Sequence, residues 1–300
     1  MKTLRDIGED ALIERLVQLL PRDPDPAAGP GDDCAVIAPE PQSPTLLLLK
    51  TDALVEHIHF LPSAPARAVG WKAAARVISD FAAMGGNPEH FLVTLALPPT
   101  TAVSWVEDLY RGIGDCLGKF GGTLAGGETS SVPAGSAAVI VIAATGSVRR
   151  QHLVLRSTAQ PGEAILVTGS LGGSRNGKHL NFTPRLKEAS WLVTEFKPSA
   201  MMDLSDGLAM DLPRLATASG CGFSINSMAL PLTSGCTPAQ ALDDGEDFEI
   251  LFTFEAARVP QLLAAWQLTF PDLPLTRIGT LVERSAGQSL TGGWDHFRKD

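Results

Sequence analysis

The 300-residue sequence lacks the features that mark a membrane or secreted protein. Apolar residues make up 44% of the chain, but no apolar run reaches the length of about 18 residues that a transmembrane helix needs. The N-terminal stretch MKTLRDIGEDALIERLVQLL carries charges among its apolar positions, which is typical of an amphipathic helix and not of a secretory signal. We therefore expect a cytoplasmic protein with one large domain or two domains of ordinary size.

Cysteines and basic clusters are also scarce. The four cysteines lie far apart and form no CxxC pair, which favours reduced thiols and argues against a zinc site. The chain has 24 basic and 33 acidic residues, a formal net charge of −9, and no basic run. Nucleic acid and anionic membranes are therefore poor candidate partners, and any bound phosphates would need metal cations to screen the charge.

Standard glycine motifs for phosphate binding are absent. The segment SLGGSRNGK has neither the GxxxxGK[ST] spacing of a P-loop nor the GxGxxG spacing of a dinucleotide fold. A second glycine-rich segment, LAGGETSS, could bring backbone N–H groups close to a phosphate. For these loops we leave two interpretations open: flexible surface loops, or contacts to a phosphate.

Strand and helix patterns interleave along the chain, which predicts a mixed α/β fold. The polar segment RRQHLVLRSTAQPG (149–162) predicts a boundary between domains at 1–148 and 149–300. Predicted helices cover 9–20, 65–84, 100–120, 186–196, 206–219 and 256–267. Predicted strands cover 34–38, 45–52, 90–98, 123–131, 136–148, 163–169, 222–226, 248–254 and 274–282.

Five short segments place carboxylates at the edges of apolar strands or helices. Each one alone is ordinary, because Asp, Gly and Ser are common turn and helix-capping residues. Together they have few basic neighbours, and converging carboxylates then need cations, for which oxygen-only sites suit Mg²⁺ or Ca²⁺. The segments are GDDCAVI (31–37), KTDALVEHIHF (50–60), ISDFAAMGG (78–86), DLSDGL (203–208) and DDGEDFEILF (243–252).

The stretch MMDLSDGLAMDL (201–212) reads as the start of an apolar helix. The three-residue spacing of Asp203 and Asp206 predicts one face of a helical turn and a shared metal cluster. Ser205 lies between them and could donate its hydroxyl to a phosphate or cap the helix. We expect Asp211 to be solvated.

Seven segments, in their order along the chain, resemble the motifs of the thiamine-monophosphate kinase family. This family belongs to the superfamily of aminoimidazole-ribonucleotide synthetase, selenophosphate synthetase and the hydrogenase maturation ATPase. The resemblance implies two α/β domains, N-terminal halves that pair into a homodimeric β-barrel, and transfer of phosphate from ATP to thiamine monophosphate. The segments are GDDCAVI, KTDALVEHIHF, AARVISDFAAMGGNP, GGTLAGGETS, MMDLSDGLAMDLPRLATASGCG, DGEDFEILFT and GGWDHF.

The same resemblance implies roles for individual residues and several Mg²⁺ ions. A cationic thiazolium ring would bind well against an aromatic face such as that of Trp294 and a carboxylate such as that of Glu246. Mg²⁺ binding falls on Asp33, Thr51, Asp52, Asp80, Asp203 and Asp206, of which Asp33, Asp80, Asp203 and Asp206 are also expected to be catalytic. Nucleotide contacts fall on Tyr110, Gly127, Glu128, Arg156 and Ser205, and substrate contacts on His59, Glu246 and Trp294.

The chain departs from the family pattern at three places. Glu128 stands where an aspartate is usual, and the segment 172–186 is shorter than usual, which could alter a lid over the substrate. Lys50 replaces a small hydroxyl residue, so an ammonium group could displace one metal. Two other functions stay open: a kinase or synthetase of the same superfamily with another small acceptor, and a nucleotide-binding protein without turnover.

Overall fold

The computed structural model describes residues 2–21 and 30–297, so most of the loop predicted before Asp33 lies outside the described residues. The described residues form two five-stranded sheets with interleaved helices, which confirms the mixed α/β class. The helices are α1 (Leu4–Ile7), α2 (Glu9–Val17), α3 (Ala66–Ala83), α4 (Val103–Phe120), α5 (Lys178–Asn181), α6 (Leu186–Glu195), α7 (Leu208–Ala218), α8 (Pro238–Asp243) and α9 (Val259–Thr269). The strands are β1 (Ala35–Ile37), β2 (Thr45–Val55), β3 (Asn87–Leu97), β4 (Thr123–Ser131), β5 (Val139–Arg149), β6 (Ala164–Thr168), β7 (Ala200–Asp203), β8 (Cys221–Ile225), β9 (Ile250–Phe254) and β10 (Leu275–Glu283).

The first half of the chain forms a sheet with the strand order β1-β2-β5-β3-β4. Its neighbouring strands are antiparallel except for β3 and β4, which are parallel. Leu46, Leu48 and Leu54 lie on one face of β2 and are buried in the core that α3 covers. β4 lies at the edge of the sheet and is exposed along its whole length. This edge therefore presents backbone groups that have no neighbouring strand within the described chain.

Two glycines set the distance between α3 and α4. A Cβ atom on Gly70 would lie 1.9 Å from the Leu109 carbonyl oxygen, and one on Gly112 would lie 1.9 Å from the Arg67 carbonyl oxygen. The atoms that such a Cβ would meet belong to the backbone of the other helix, so no side chain can move aside to make room. A larger residue at either position would push the helices apart.

The second half forms a sheet with the order β7-β9-β6-β10-β8, in which all the neighbouring pairs are antiparallel. Its central strands β6 and β9 are buried at every residue. A second apolar core lies on this sheet and includes Leu208, Leu212 and Leu215 of α7. Strand β5 ends at Arg149, next to the boundary predicted between residues 148 and 149. The division of the chain into two domains at this boundary stays a prediction.

Helix α3 lies between the two sheets. It packs on β2, β3 and β5 of the first sheet and on α5, α6 and β7 of the second half. Most of its residues are buried, including the charged residues Lys72 and Asp80. Polar side chains on this helix can therefore contact groups from both halves of the chain.

The helix predicted at 206–219 is found as α7, but the helical turn predicted to include Asp203 is wrong. Residues 200–203 form strand β7, which pairs with β9, and α7 begins only at Leu208. A short apolar run does not distinguish a buried strand from a helix by periodicity alone. Among the described residues, no helix combines the length and apolar character that crossing a membrane requires.

Candidate active site

Three buried aspartates from distant parts of the chain meet at one point. Asp33 precedes β1, Asp80 lies on α3, and Asp203 ends β7. Their carboxylate oxygens lie within 4.8 Å of one another. We call these three residues the carboxylate cluster. Its donor atoms are all oxygens, which matches the ligands that Mg²⁺ prefers.

Each carboxylate of the cluster has a partner in the protein. Arg156 donates to both oxygens of Asp33, at 2.6 and 3.2 Å. The Lys50 ammonium lies 2.8 Å from Asp80 Oδ1, and the Ser79 hydroxyl donates to Asp203 Oδ2 at 2.6 Å. The expectation that these carboxylates have few basic partners is therefore wrong, because the sequence does not show which distant cations fold against them.

The cluster still has an excess of negative charge. Burial raises the pKa of Asp80 well above its usual range, and the neighbouring Asp203 and Asp52 carboxylates raise it further against the opposing effect of Lys50. Burial, followed by the charge of Asp33, raises the pKa of Asp203 to about 7. Buried carboxylates with raised pKa values favour a bound cation, since a cation stabilises their ionised form. The residues present therefore fit a divalent ion.

Asp52, Asp206 and Thr51 lie outside the cluster. Asp52 Oδ2 is 3.0 Å from Arg76 Nε, and Asp206 forms an ion pair with Arg214. Thr51 alternates with Asp52 along β2 and is exposed on the opposite face of the strand, so the structure does not bring its hydroxyl to the cluster. The metal-binding roles of these three residues stay predictions.

The sequence predicts that Asp203 and Asp206 share one face of a helix, and this prediction is wrong. Asp203 ends β7, and Asp206 lies in the turn between β7 and α7. Asp211 shapes this turn by accepting hydrogen bonds from the backbone N–H groups of Ser205 and Asp206, both at 3.0 Å. The prediction that Asp211 is solvated is wrong, because its side chain is fully buried in this capping role. Burial, followed by the charge of Asp206, raises its pKa well above the usual range.

A cavity of about 430 Å³ opens beside the carboxylate cluster. Arg76, one helical turn before Asp80, reaches its wall, and so do Ser205 and Asp206, which lie two and three residues after Asp203. Trp294 also lines the cavity, with the Arg175 guanidinium 5.2 Å from the centre of its ring. Polar and aromatic residues of the lining include His57, His59, Arg76, Arg175, His179, Ser205, Asp206, Glu246, Trp294 and His296.

The wall of the cavity at Glu246 is backed by a fully buried lysine. Lys72 Nζ lies 2.6 Å from Glu246 Oε1 and 2.6 Å from the His59 carbonyl oxygen. His179 Nδ1 contacts both partners, at 2.7 Å from Lys72 Nζ and 3.2 Å from Glu246 Oε2. Burial opposes ionisation of Glu246, but His179, Lys72 and Arg76 outweigh it and lower its pKa to about 2. Burial lowers the pKa of Lys72 to about 8 even though Glu246 opposes that shift.

The backbone at Glu246 adopts a conformation that residues with a Cβ rarely take. Its φ is +65°, and that of Phe248 is +51°. Two backbone hydrogen bonds, from Glu246 N–H to Ser205 O and from Phe248 N–H to Leu204 O, join this segment to the turn after β7. Such strain persists where the surroundings enforce it, and it is often found at functional sites.

The nucleotide residues expected from the resemblance are not brought together. Arg156 reaches the carboxylate cluster, and Ser205 reaches the cavity. Tyr110 lies half-buried on α4, and Gly127 and Glu128 lie on the exposed edge strand β4. Gly127 is required there by close packing, since a Cβ would lie 2.0 Å from the Val93 carbonyl oxygen. The nucleotide-binding roles of these residues stay predictions.

The glycine-rich segment after β6 is anchored by carboxylates. Gly172 N–H donates to both oxygens of Asp247, and Gly173 N–H donates to Asp244. Lys178 donates to Asp247 and to the Ser170 carbonyl. The N–H groups of Gly172 and Gly173 therefore already have carboxylate acceptors, whereas the flexibility of the segment stays a prediction.

Sequence reasoning missed several residues of the site, notably Lys72, Arg76 and His179. One signal was present: Lys72, Arg76 and Asp80 recur every four residues on a helix that is otherwise rich in alanine and valine. That spacing places the three side chains on one face. No comparable signal exists for His179, whose approach depends on how α5 packs on α3.

Both halves of the chain match models of known families. The AIR synthase related protein N-terminal domain matches residues 31–148, and the AIR synthase related protein C-terminal domain matches residues 160–286. A thiamine-monophosphate kinase of Rhodopirellula baltica is 34% identical, covering 87% of this chain and 85% of that protein. A thiamine-monophosphate kinase of Synechococcus elongatus is 32% identical, covering 99% and 98%.

A solved structure is similar over the same length. The protein described as AaThiL complexed with AMPPCP and TMP has a TM-score of 0.84 and 31% sequence identity to this chain. The alignment covers 99% of each chain. The likeness therefore includes both sheets.

Proposed function

The chain belongs to the thiamine-monophosphate kinase family of AIR synthase related proteins, and we propose that it transfers the γ-phosphoryl group of ATP to thiamine monophosphate. The products are ADP and thiamine diphosphate. The proposal is supported by the similarity to a ThiL protein solved with AMPPCP, an ATP analogue, and TMP.

The observation that carries the proposal is the position of the cavity. It places an aromatic ring and the carboxylate of Glu246 in the same space as Ser205 and Arg76, which lie next to the carboxylate cluster. Thiamine monophosphate has a cationic thiazolium ring and an anionic phosphate. We propose that the thiazolium lies between Trp294 and Glu246, and that the phosphate points towards Ser205 and the cluster.

The cluster would hold Mg²⁺ through the oxygens of Asp33, Asp80 and Asp203. Bound there, Mg²⁺ screens the repulsion between the transferred phosphoryl group and the anionic acceptor. Arg156 fixes the orientation of Asp33 with two hydrogen bonds, and Ser79 fixes that of Asp203. These contacts hold the ligand oxygens in place before a ligand arrives, which favours a precise geometry for transfer.

The acceptor needs little help from an acid or a base. Its attacking atom is a phosphate oxygen that is already ionised near neutral pH. The chain therefore has to align the donor and acceptor phosphates in line and exclude water. Arg76, which lines the cavity one helical turn before Asp80, supplies positive charge for the acceptor phosphate.

We further propose that two copies of the chain pair through their first sheets. The edge strand β4 is exposed along its length, and Leu92 and Leu124 are 46% and 49% exposed beside it. Pairing would cover this edge and these side chains. Light scattering on the purified protein tests this, because a monomer at micromolar concentration would contradict it.

The four free cysteines fit a reducing compartment such as the cytoplasm.

The test of function is an acceptor assay. The purified protein is incubated with ATP, Mg²⁺ and thiamine monophosphate, and thiamine diphosphate is measured by chromatography after oxidation to a fluorescent derivative. Asp203→Asn serves as the matched control for contaminating kinases. Turnover with another small phosphate but not with thiamine monophosphate would favour a different acceptor, and ATP binding without any turnover would favour a binding protein.

A further inference from the structure

Lys50 lies within a ladder of charged pairs between β2 and α3. Lys50 and Asp52 alternate with Thr51 and therefore share the face of β2 that α3 covers. Arg76 and Asp80 are four residues apart and share the facing side of α3. Each element contributes one cation and one anion, and each pairs with the opposite charge on the other element. The Lys50 ammonium on β2 contacts Asp80 at 2.8 Å, and Arg76 on α3 contacts Asp52 at 3.0 Å.

The Lys50 ammonium thus lies at the carboxylate cluster, against one of its three members. Its side chain is only 23% exposed, and the Asp80 side chain is 9% exposed. The stem of Lys50 lies on the same face of β2 as the buried Leu48, and its ammonium donates a hydrogen bond to Asp80. The other charged partner, Arg156, contacts the cluster at Asp33. The Asp80 side therefore carries a fixed positive charge that comes from the chain itself.

A divalent ion bound to the same Asp80 oxygen would lie against this ammonium. Mg²⁺ bonds oxygen at about 2.0–2.1 Å, so the ion and the ammonium would be within a few ångströms of one another and would repel. Unlike a metal ion, the ammonium is part of the chain and does not have to be bound from solution. It therefore stays paired with Asp80 at every Mg²⁺ concentration.

We propose that the Lys50 ammonium is a built-in cation of the carboxylate cluster, so that the site binds one divalent ion fewer than it would with a neutral residue at position 50. This inference rests on the part of the proposed function in which the cluster binds Mg²⁺. It makes Lys50 a residue that determines how many metal ions the site takes.

The test counts bound metal in the absence of turnover. The full-length protein is saturated with AMPPCP, and bound Mn²⁺, used in place of Mg²⁺, is counted by electron paramagnetic resonance and by isothermal titration calorimetry. We expect Lys50→Ser to bind one more Mn²⁺ per chain than the wild type. Lys50→Arg keeps the charge and should bind the wild-type number. Lys187→Ser removes a charge from an exposed position on α6 and should also leave the number unchanged.

Stability without metal gives a second readout. In EDTA, Lys50→Ser should melt at a lower temperature than the wild type, because its Asp80 carboxylate has lost the ammonium partner. Adding Mn²⁺ should raise the melting temperature of Lys50→Ser more than that of the wild type, because the ion then replaces this partner. If Lys50→Ser does not fold without metal, Lys50→Ser with Asp80→Asn removes both charges and should fold in EDTA without gaining an ion. Equal Mn²⁺ numbers and equal EDTA sensitivity in the wild type and Lys50→Ser would overturn the inference.

These outcomes separate the inference from the proposed function. A wild type that makes thiamine diphosphate while Lys50→Ser gains no ion overturns the inference alone. A wild type that binds no Mn²⁺ while Lys50→Ser binds one supports the inference and contradicts the proposed wild-type metal site. Absence of bound Mn²⁺ in both proteins contradicts both proposals.

Discussion

Replacing Glu246 with Gln should destabilise the protein because it leaves the buried Lys72 ammonium without its counter-charge. The other groups in contact with the ammonium are the His59 carbonyl oxygen and Nδ1 of His179, and neither carries a negative charge. The pKa of Glu246 falls from 4.5 to about 2, and a shift of this size corresponds to about 3 kcal/mol. Removing one member of a buried pair typically costs about 3–5 kcal/mol. We therefore expect a loss of about 3 kcal/mol in the free energy of unfolding.

A double-mutant cycle measured by urea unfolding tests this reasoning. Lys72→Met removes the ammonium but keeps an unbranched apolar stem. The double variant Lys72→Met with Glu246→Gln should be more stable than Glu246→Gln alone, since no unpaired charge then remains. If the two single effects simply add, to within about 0.5 kcal/mol, the ion pair does not have the role that its geometry indicates.

The pH dependence of stability gives an independent check on Lys72. Its pKa is about 8 in the fold, against 10.5 in its unperturbed state. Between these values the unfolded chain binds a proton that the folded chain does not, so this group makes the protein more stable as the pH rises from about 8 to 10.5. The stability difference between the wild type and Lys72→Met should therefore change in favour of the wild type over this range. A constant difference would show that Lys72 titrates normally.

Three further outcomes follow from the site. Asp203→Asn should fold but lose at least about a hundredfold in kcat, because it removes one ligand oxygen from the cluster; near-normal turnover at millimolar Mg²⁺ would contradict its assignment. Trp294→Ala should raise the KM for thiamine monophosphate about three- to thirtyfold, corresponding to the roughly 0.5–2 kcal/mol of a cation–π contact, with the ATP KM unchanged; a change in the ATP KM alone would place Trp294 at the wrong end of the cavity. Gly112→Ala should lower the melting temperature by several degrees, since its Cβ would lie 1.9 Å from the Arg67 carbonyl oxygen. Gly114→Ala on the same helix should leave the melting temperature unchanged, because a Cβ there meets open space. Equal effects of the two substitutions would argue against close backbone packing of α3 and α4.

The sequence predicts most of the elements because their periodicities are long and regular. The sequence predicts a helix at 65–84, where α3 spans Ala66–Ala83, and a strand at 123–131, which β4 matches. Strand β7 is not predicted, because three buried apolar residues followed by an aspartate are too short a run to show a period. Its burial is decided by pairing with β9, which lies almost fifty residues further along the chain.

The candidate site was predictable in composition but not in its contacts. The carboxylate-rich segments and the family resemblance identify Asp33, Asp80 and Asp203, which the fold brings together. Their partners could not be inferred from spacing, because Arg156 is more than a hundred residues from Asp33. Asp211 shows the same limit, since an acidic residue near a helix start can be solvated or can cap a buried turn, and only the fold decides between them.

The position of α3 has a consequence for how the chain can be divided. The helix lies within the first half of the sequence, yet its buried surface faces α5, α6 and β7 of the second half as well as its own sheet. A fragment ending at the predicted boundary would expose that apolar surface to water and leave Lys72 without Glu246. The two halves should therefore aggregate when expressed separately and recover a folded protein only when they are produced together. We therefore expect both family domains to fold only as parts of one chain.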